Sequence, residues 1–213
     1  MPQGFLCYFL LRQKKVGSKI LELSKILIIQ HYLNNLVTVM DFLELAKARY
    51  SCRKFTPQPV EDEKLAKILD AANSAPTAAN MQPIHLWVVR AAENLQKVYD
   101  ATPYKFGAST VIVVGGDDSA MRKTDSKDDF LNLATVNGII VATHIILAAK
   151  SLGLDSTWVG LVDRVKLKEY FPEMKGYTII SIIPIGYASA EKDGQPHKWH
   201  SQRKGVDAIT SWL

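Results

Sequence analysis

A long apolar segment in the second half of the chain constrains the fold more than any other feature. Residues 131–149 are mostly apolar, and Gly153 follows shortly after them. Glycine is favoured just beyond a helix C-terminus, so the pattern predicts one helix from Asp129 to Leu152. Because apolar side chains occupy nearly every side of this helix, it must be buried on most sides. In a chain of 213 residues, a second copy is one way to supply that cover, and we predict a homodimer.

Shorter patterned segments on both sides of this helix predict an α+β domain. The predicted helices are residues 42–48, 61–73, 92–100 and 166–170, and the predicted strands are residues 86–90, 110–114, 156–159 and 177–187. We expect Gly115 and Gly116 to end the second of these strands. The order of elements predicts a three-layer α-β-α arrangement, in which helices flank a mixed sheet.

Charge is distributed unevenly along the chain. Most of the net charge of +5 lies in residues 1–39, where basic residues outnumber acidic ones five to one. The remainder is nearly neutral and lacks a basic stripe, so we predict no nucleic-acid partner. Because a self-contained pattern begins at Met40, we predict that residues 1–39 are an N-terminal extension outside the fold. Residues 40–213 then form the functional domain. A membrane-lying amphipathic helix is the alternative for the extension.

Cysteine usage and hydropathy indicate a cytoplasmic protein. Cys7 and Cys52 form no metal-binding or redox spacing, which fits a reducing compartment. No segment is typical of a membrane span, so we predict no membrane partner. His197 and His200 lie in a polar C-terminal tail, residues 188–213, without nearby acids or thiols. We therefore predict that they hold no metal.

An arginine-rich segment near the start of the domain suits a phosphate group. Arg49, Ser51 and Arg53 alternate along a stretch that is expected to be extended. Alternate residues of an extended segment point the same way, so two guanidinium groups and a hydroxyl share one face. Guanidinium groups bind oxyanions through a planar fork of N–H donors. Surface arginines at this spacing are the alternative interpretation.

Two further segments are suited to a flat ligand. Residues 75–83 form a loop of small and polar residues between a helix and a strand, with amide side chains that both donate and accept hydrogen bonds. Residues 152–160 include Gly160 at a strand end, where a backbone often approaches a ligand closely. Simple turns are the alternative interpretation of both segments.

As a set, these segments resemble the nitroreductase family of FMN-dependent oxidoreductases. Family members carry Arg-x-Ser-x-Arg, then Ala-Pro-Ser/Thr-Ala-x-Asn-x-Gln-Pro, then a long buried helix ending in Leu-Gly-Leu. A Trp-x-Gly turn and an Ile-Gly-Tyr strand follow. The corresponding residues here are 49–53, 75–83, 152–154, 158–160 and 185–187. The resemblance covers about residues 40–200 and implies a mostly antiparallel sheet and an intertwined homodimer.

The resemblance also implies a role for particular residues. In the family, the arginine-rich segment holds the FMN phosphate and ribityl chain, which assigns Arg49, Ser51 and Arg53. A loop partly supplied by the other subunit lines the flavin, which assigns Pro76, Thr77, Ala78, Asn80 and Gln82. Backbone N–H groups of a turn lie near flavin N5 and O4, which assigns Val159 and Gly160. A basic residue of the C-terminal tail completes the phosphate site, with Lys198 as the candidate and Arg203 as the alternative.

The implied function is an FMN-dependent oxidoreductase. Electrons pass from NADH or NADPH to a small oxidised acceptor, such as a nitroaromatic or a quinone, by a ping-pong mechanism. No catalytic side chain is expected, because the flavin carries the chemistry. A flavin-binding module is one alternative, and a different flavin reaction on the same scaffold (reductive dehalogenation or flavin cleavage) is another. Residues 117–128 are predicted to form a lid.

Overall fold

The computed structural model describes residues 41–117, 119 and 132–213. The described helices are α1 (Phe42–Ala48), α2 (Asp62–Asn73), α3 (Ala92–Asp100), α4 (Leu133–Ser151) and α5 (Arg164–Tyr170). The described strands are β1 (Ile84–Val89), β2 (Thr110–Gly116), β3 (Asp155–Ser156) and β4 (Thr178–Gly186). The predicted extension (residues 1–39), the predicted start of the long helix at Asp129 and nearly all of the predicted lid lie outside the described residues.

The strands form one sheet with the order β1-β2-β4-β3. All three strand pairs are antiparallel, and an isolated parallel bridge joins Ser51 to Ser156 of β3. A bulge between Val114 and Gly115 shifts the register of β2 on β4. Because an extra residue reverses the in–out alternation, Ile179 and Ile182 both face the same side of the sheet. The predicted mostly antiparallel sheet is confirmed, and among the described residues its parallel part is limited to this bridge.

The prediction that Gly115 and Gly116 end the second strand is wrong. β2 continues through both residues, which pair with Ile179 and Thr178 of β4. Packing gives the reason, because a Cβ atom on Gly115 would lie 2.5 Å from Cζ3 of Trp87. The glycines allow neighbouring side chains to approach the strand, and they do not terminate it.

Helices cover both faces of the sheet, which confirms the three-layer α-β-α fold. On one face, α2 and α4 pack on a buried apolar cluster that includes Ile112 and Ile183. On the other face, α3 and α5 pack on a second cluster that includes Val111 and Ile182. Every residue of β2 is buried, so this strand lies at the centre of the hydrophobic core.

Helix α4 is buried on one side only within a single chain. Its inner residues, such as Val141 and Ile145, face the sheet, whereas Ile139 is 41% exposed. Val136, Ile140 and Leu147 are half-buried. Among the described residues, α4 is long and apolar enough to cross a membrane by length and composition, but core helices also meet that criterion. Apolar surface on α4 therefore remains for another protein surface to cover.

Candidate functional site

The arginine-rich segment runs along the β3 edge of the sheet in an extended conformation. The Cys52 N–H donates to the Ser156 carbonyl at 3.1 Å. Tyr50 and Cys52 are buried, Arg49 and Ser51 are half-buried and Arg53 is exposed. The alternation predicted from the sequence is therefore present, with Arg49, Ser51 and Arg53 on the outer face. Tyr50 and Cys52 anchor the segment from below.

A cavity of about 140 Å³ opens above this outer face. We call it the anion cavity. One wall is the arginine-rich segment and the other is the C-terminal tail, and the lining residues are Arg49, Tyr50, Ser51, Arg53, His197, Trp199, His200 and Arg203. None of these described lining residues carries a carboxylate. Because drug-sized ligands occupy roughly 300–1,000 Å³, the anion cavity fits a phosphate with part of a sugar, and a whole nucleotide extends beyond it.

Like charges are held together in the anion cavity. Burial lowers the pKa of Arg49 from its ordinary value, and the nearby charge of Arg203 lowers it further. Among the described residues, no acidic side chain forms an ion pair with Arg49, Arg53 or Arg203. Two guanidinium groups that repel each other are suited to bind an oxyanion, since a bound anion would relieve that repulsion.

Backbone hydrogen bonds fix the tail against the arginine-rich segment. The Tyr50 hydroxyl donates to the Gly194 carbonyl at 2.9 Å. Burial raises the pKa of Tyr50, so its hydroxyl remains a donor at neutral pH. The Arg53 N–H donates to Asp193 O, and the Ser189 N–H donates to Lys54 O, each at 2.9 Å. These bonds hold the following part of the tail over the arginines.

The two candidate basic residues of the tail lie in different places. Arg203 lines the anion cavity, and its Nη1 donates to the Trp199 carbonyl at 3.1 Å. Lys198 lines a neighbouring cavity together with Arg53 and Asp193. The structure therefore brings Arg203 to the Arg49 side chain and leaves Lys198 beside the anion cavity.

The loop of residues 75–83 has an unusual backbone. Ala79, Asn80 and Gln82 have φ angles of 50°, 56° and 48°. Left-handed residues other than glycine cost free energy and cluster at functional sites. Side-chain bonds hold the loop in this shape, because Gln82 N–H donates to Thr77 Oγ1 and Ala78 N–H donates to Asn137 Oδ1, each at 3.0 Å.

The loop lines a different cavity from the arginines. Thr77 and Gln82 border an apolar cavity of about 200 Å³ between α2, β1 and α4. Pro76 and Asn80 are exposed, and Ala78 is half-buried. The five predicted residues of this loop thus lie together, but within one chain they do not line the anion cavity.

The turn after β3 offers one N–H group where two are predicted. The Val159 N–H donates to the Ile182 carbonyl at 3.0 Å, so this donor is already used. No described residue accepts from the Gly160 N–H, and a Cβ atom on Gly160 would meet open space. Arg164 holds the turn from behind, with Nε donating to Ile179 O at 2.7 Å and Nη2 to Gly160 O at 3.2 Å.

Sequence reasoning missed several residues of these sites. Arg164 is the first residue of α5, and nothing in its local pattern indicates that it clamps the preceding turn. Tyr50, Trp199 and His200 join the anion cavity through contacts between distant parts of the chain. The alternation around Arg49 is the local signal in this region. It places Tyr50 on the opposite face from Arg49, so it does not predict that Tyr50 also lines the cavity.

Comparisons with known proteins agree with this fold and these motifs. The model of the nitroreductase family matches residues 46–103 and 102–187. A provisionally named NADH dehydrogenase/NAD(P)H nitroreductase from Methanothermobacter thermautotrophicus is 34% identical over 184 residues, covering 83% of this chain and 92% of that protein. A similar match, 34% identical over 163 residues, is a protein of the same provisional name from Archaeoglobus fulgidus, covering 72% of this chain and 88% of that one.

Solved structures share the fold over nearly their whole length. A nitroreductase family protein from Clostridium difficile has a TM-score of 0.73 and 34% identity, covering 81% of this chain and 98% of that chain. A provisionally named nitroreductase from Exiguobacterium sibiricum, solved in complex with FMN, has a TM-score of 0.70 and 21% identity, covering 82% and 98% of the two chains. With a family match across most of the described domain, the chain belongs to the nitroreductase family.

Proposed function

We propose that this protein is an FMN-dependent oxidoreductase that takes electrons from NADH or NADPH and passes them to a small oxidised acceptor, such as a nitroaromatic or a quinone. The observation that carries the proposal is the anion cavity, where Arg49 and Arg203 repel each other without a carboxylate. The names of the two relatives at 34% identity, which include NAD(P)H nitroreductase, support the electron donor.

The residues of the anion cavity fit the phosphate of FMN. A phosphate monoester carries about two negative charges near neutral pH, so it needs more than one cation. Arg49, Arg53 and Arg203 would supply them, and Ser51 lies between the first two on the same face. The size of the cavity suits the phosphate and the start of the ribityl chain, with the ring system outside it.

The ring system would be held by parts of the chain that are separate within one protomer. The loop of residues 75–83 lines its own apolar cavity, and a Cβ atom on Gly160 would meet open space. We therefore propose a homodimer that packs through the uncovered side of α4, in which the loop of one chain completes the anion cavity of the other and two cofactor sites are shared.

When bound, FMN supplies the electron transfer between nicotinamide and acceptor. The protein then needs to bind FMN and to orient the nicotinamide and the acceptor against it, and it needs no side-chain nucleophile or general base. The Gly160 N–H would donate to the edge of the ring system, and the missing Cβ leaves room for close approach. Because donor and acceptor would use the same open face in turn, we expect ping-pong kinetics.

The absorbance spectrum of the purified protein tests this function. We expect a flavin spectrum that bleaches under anaerobic conditions when NADH or NADPH is added. Subsequent addition of a nitroaromatic or a quinone should restore the spectrum of oxidised flavin. Bound flavin that resists both nicotinamides would indicate a binding module, and loss of the flavin itself during turnover would indicate flavin cleavage. A protein that never retains FMN would contradict the proposal.

We further propose that residues 40–213 are sufficient for the function. The family match begins at residue 46, beyond the predicted extension. A chain starting at Met40 should bind FMN with the same dissociation constant as the full chain. It should also sediment as a dimer, as we expect of the full chain. Membrane fractionation of both forms provides the control, and a full chain that alone sediments with membranes would favour the amphipathic-helix alternative.

A further inference from the structure

Two histidines line the anion cavity in addition to the arginines. His197 and His200 belong to the C-terminal tail, and both are half-buried. Neither belongs to the arginine-rich segment. Imidazole is the side chain whose charge ordinarily changes between pH 5 and 8, so a histidine in such a cavity makes its positive charge depend on pH.

The two imidazoles differ in the hydrogen bonds that they make. His197 Nδ1 accepts from the Trp199 N–H at 3.2 Å, and this bond caps the short 3-10 helix Lys198–His200. Protonation of that nitrogen would remove this bond and the cap that it provides. No described residue forms a hydrogen bond with the His200 ring. His200 is therefore the imidazole that can gain a proton without losing a protein contact.

The groups around His200 are cationic or neutral. The Tyr50 ring meets the His200 ring edge to face, with centroids 6.1 Å apart. Asp155 lies behind Tyr50, where it contributes to the raised pKa of that phenol. Asp193 borders the neighbouring cavity, where Lys192, Lys198 and Arg53 also lie. The ionisable residues that share the anion cavity with His200 are Arg49, Tyr50, Arg53, His197 and Arg203. An imidazolium at residue 200 thus has no carboxylate in its own cavity.

We propose that His200 is a proton-dependent ligand of the anion in this cavity, so that anion affinity rises as the pH falls from about 8 to about 6. A bound oxyanion would place negative charge beside the His200 ring and so favour its protonated form. Binding and protonation are consequently linked, and each favours the other. The inference rests on the proposed function in taking the FMN phosphate as the natural anion.

A probe of constant charge is required to isolate this effect. The FMN phosphate itself gains a proton near pH ~6, which lowers its charge and weakens its attraction to arginines. The two titrations act in opposite directions on FMN affinity. Sulfate keeps its charge across the whole range, so any change in sulfate affinity with pH comes from the protein.

Calorimetric titration of the full-length protein with sulfate at pH 6, 7 and 8 is the test. In wild type we expect affinity roughly fivefold higher at pH 6 than at pH 8, the scale of one partly exposed charge contact. Titration at pH 7 in buffers of different ionisation enthalpy should show proton uptake on binding. His200→Gln should abolish both effects, and His200→Arg should bind at pH 8 as tightly as wild type does at pH 6.

A histidine outside the cavity gives a matched control. His85 lies on β1, at the opposite edge of the sheet from β3 and the arginine-rich segment. His85→Gln should keep the wild-type pH dependence. Sulfate affinity in wild type that does not change with pH would overturn the inference, as would His200→Gln with undiminished proton uptake. If His200→Gln fails to fold, wild-type proton uptake together with His200→Arg still decides.

The outcome is separable from that of the proposed function. FMN titration by fluorescence quenching is run on the same samples. If FMN binds and His200→Gln does not change the pH profile of its binding, the role of His200 is refuted and the proposed oxidoreductase function is unaffected. If sulfate binding depends on His200 but the protein retains no FMN, the role of His200 as a ligand of the anion is supported and the proposed flavin function is refuted.

Discussion

Arg49 is the residue on which the anion cavity depends most. It is half-buried, its pKa is lowered by burial and by Arg203, and no described carboxylate neutralises it. Holding uncompensated like charges together costs folding free energy, which a bound anion offsets. Such residues are typical of ligand sites, because stability alone would favour their replacement.

Removal of both arginines of the outer face should release the cofactor. Arg49→Ala with Arg53→Ala deletes two charge-assisted contacts, each worth roughly 1.5–3 kcal/mol. We expect the dissociation constant for FMN, measured by fluorescence quenching, to rise by about a hundredfold or more. Arg90→Ala is the control, since Arg90 pairs with Asp62 away from the cavity. A double variant that stays as intensely coloured as wild type would show that the phosphate binds elsewhere.

Cys52 should make the protein sensitive to alkaline pH. Burial raises the pKa of its thiol to about 11, whereas a thiol in an unfolded chain titrates near ~8.5. The protonated thiol is favoured in the folded state, so its stabilising contribution is present below pH ~8.5 and is lost as the pH rises to about 11. The free energy of unfolding should therefore fall across this window. In Cys52→Ala the fall should be smaller, and parallel curves for the two proteins would contradict the assignment.

Local alternation in the sequence predicted the wall of the anion cavity that the arginine-rich segment forms. It could not predict the wall that the C-terminal tail forms. Arg49, Ser51 and Arg53 share a face because the segment is extended, which a period of two reveals. The position of Arg203 depends on bonds between residues far apart, such as Tyr50 with Gly194. A polar tail has no periodicity that encodes such contacts. The Val159 N–H was equally unpredictable, because its partner belongs to β4.

At the scale of elements, the tail acts as a strap that forms half of the anion cavity. Its first part is fixed by backbone bonds to Lys54 and Arg53, and its later part carries His200 and Arg203 over the arginines. Gly194 is the tightest point of this strap, because a Cβ atom there would lie 2.0 Å from Ser189 O. The strap can turn back this closely on its own backbone only with glycine at that position.

Gly194→Ala should loosen the strap. The added methyl group meets backbone atoms that cannot rotate away, and overpacking of this kind typically costs about 1–3 kcal/mol. We expect a lower thermal midpoint together with weaker FMN binding, because Arg203 is displaced from Arg49. Gly205→Ala serves as the control, since its Cβ would meet nothing within 4 Å. Loss of stability with unchanged FMN affinity would mean that the tail does not hold the phosphate.

Elements with strong periodicity were predicted well, and those set by tertiary packing were not. Helix α3 has the predicted limits, 92–100, because its amphipathic pattern determines where it starts and ends. Strand β2 runs past its predicted end because Trp87 and Ala134 occupy the space that side chains at 115 and 116 would need. Only the folded sheet shows those neighbours.

At the scale of the whole molecule, the uncovered apolar surface points to a second chain. Ile139 on α4 is 41% exposed, and Val206, Ile209 and Trp212 of the tail are 72%, 72% and 93% exposed. Large apolar side chains in such numbers are typical of interaction surfaces. The proposed cofactor site gives the same indication, because neither of these two cavities of one chain is large enough for a whole flavin nucleotide.

A charge on the outer side of α4 should separate the proposed dimer. Ile139→Glu places a carboxylate at a position that is accessible in one chain, so the fold should tolerate it. Sedimentation at micromolar concentration should show that this variant is a monomer. Because the proposed cofactor site is shared by two chains, the monomer should also lose FMN. Glu169→Lys, an exposed charge change on α5, should stay dimeric. Wild-type protein that sediments as a monomer would refute the shared site.

The pairing of Tyr50 with Gly194 has a consequence for how the protein is made. These two residues are 144 positions apart in the chain, so at ordinary elongation rates the second wall emerges from the ribosome on the order of ten seconds after the first. During that interval the nascent chain has its arginines but no strap to close over a phosphate. Loading of the proposed cofactor should therefore follow translation, and we expect a chain that ends before residue 194 to remain colourless even if its first layers have packed.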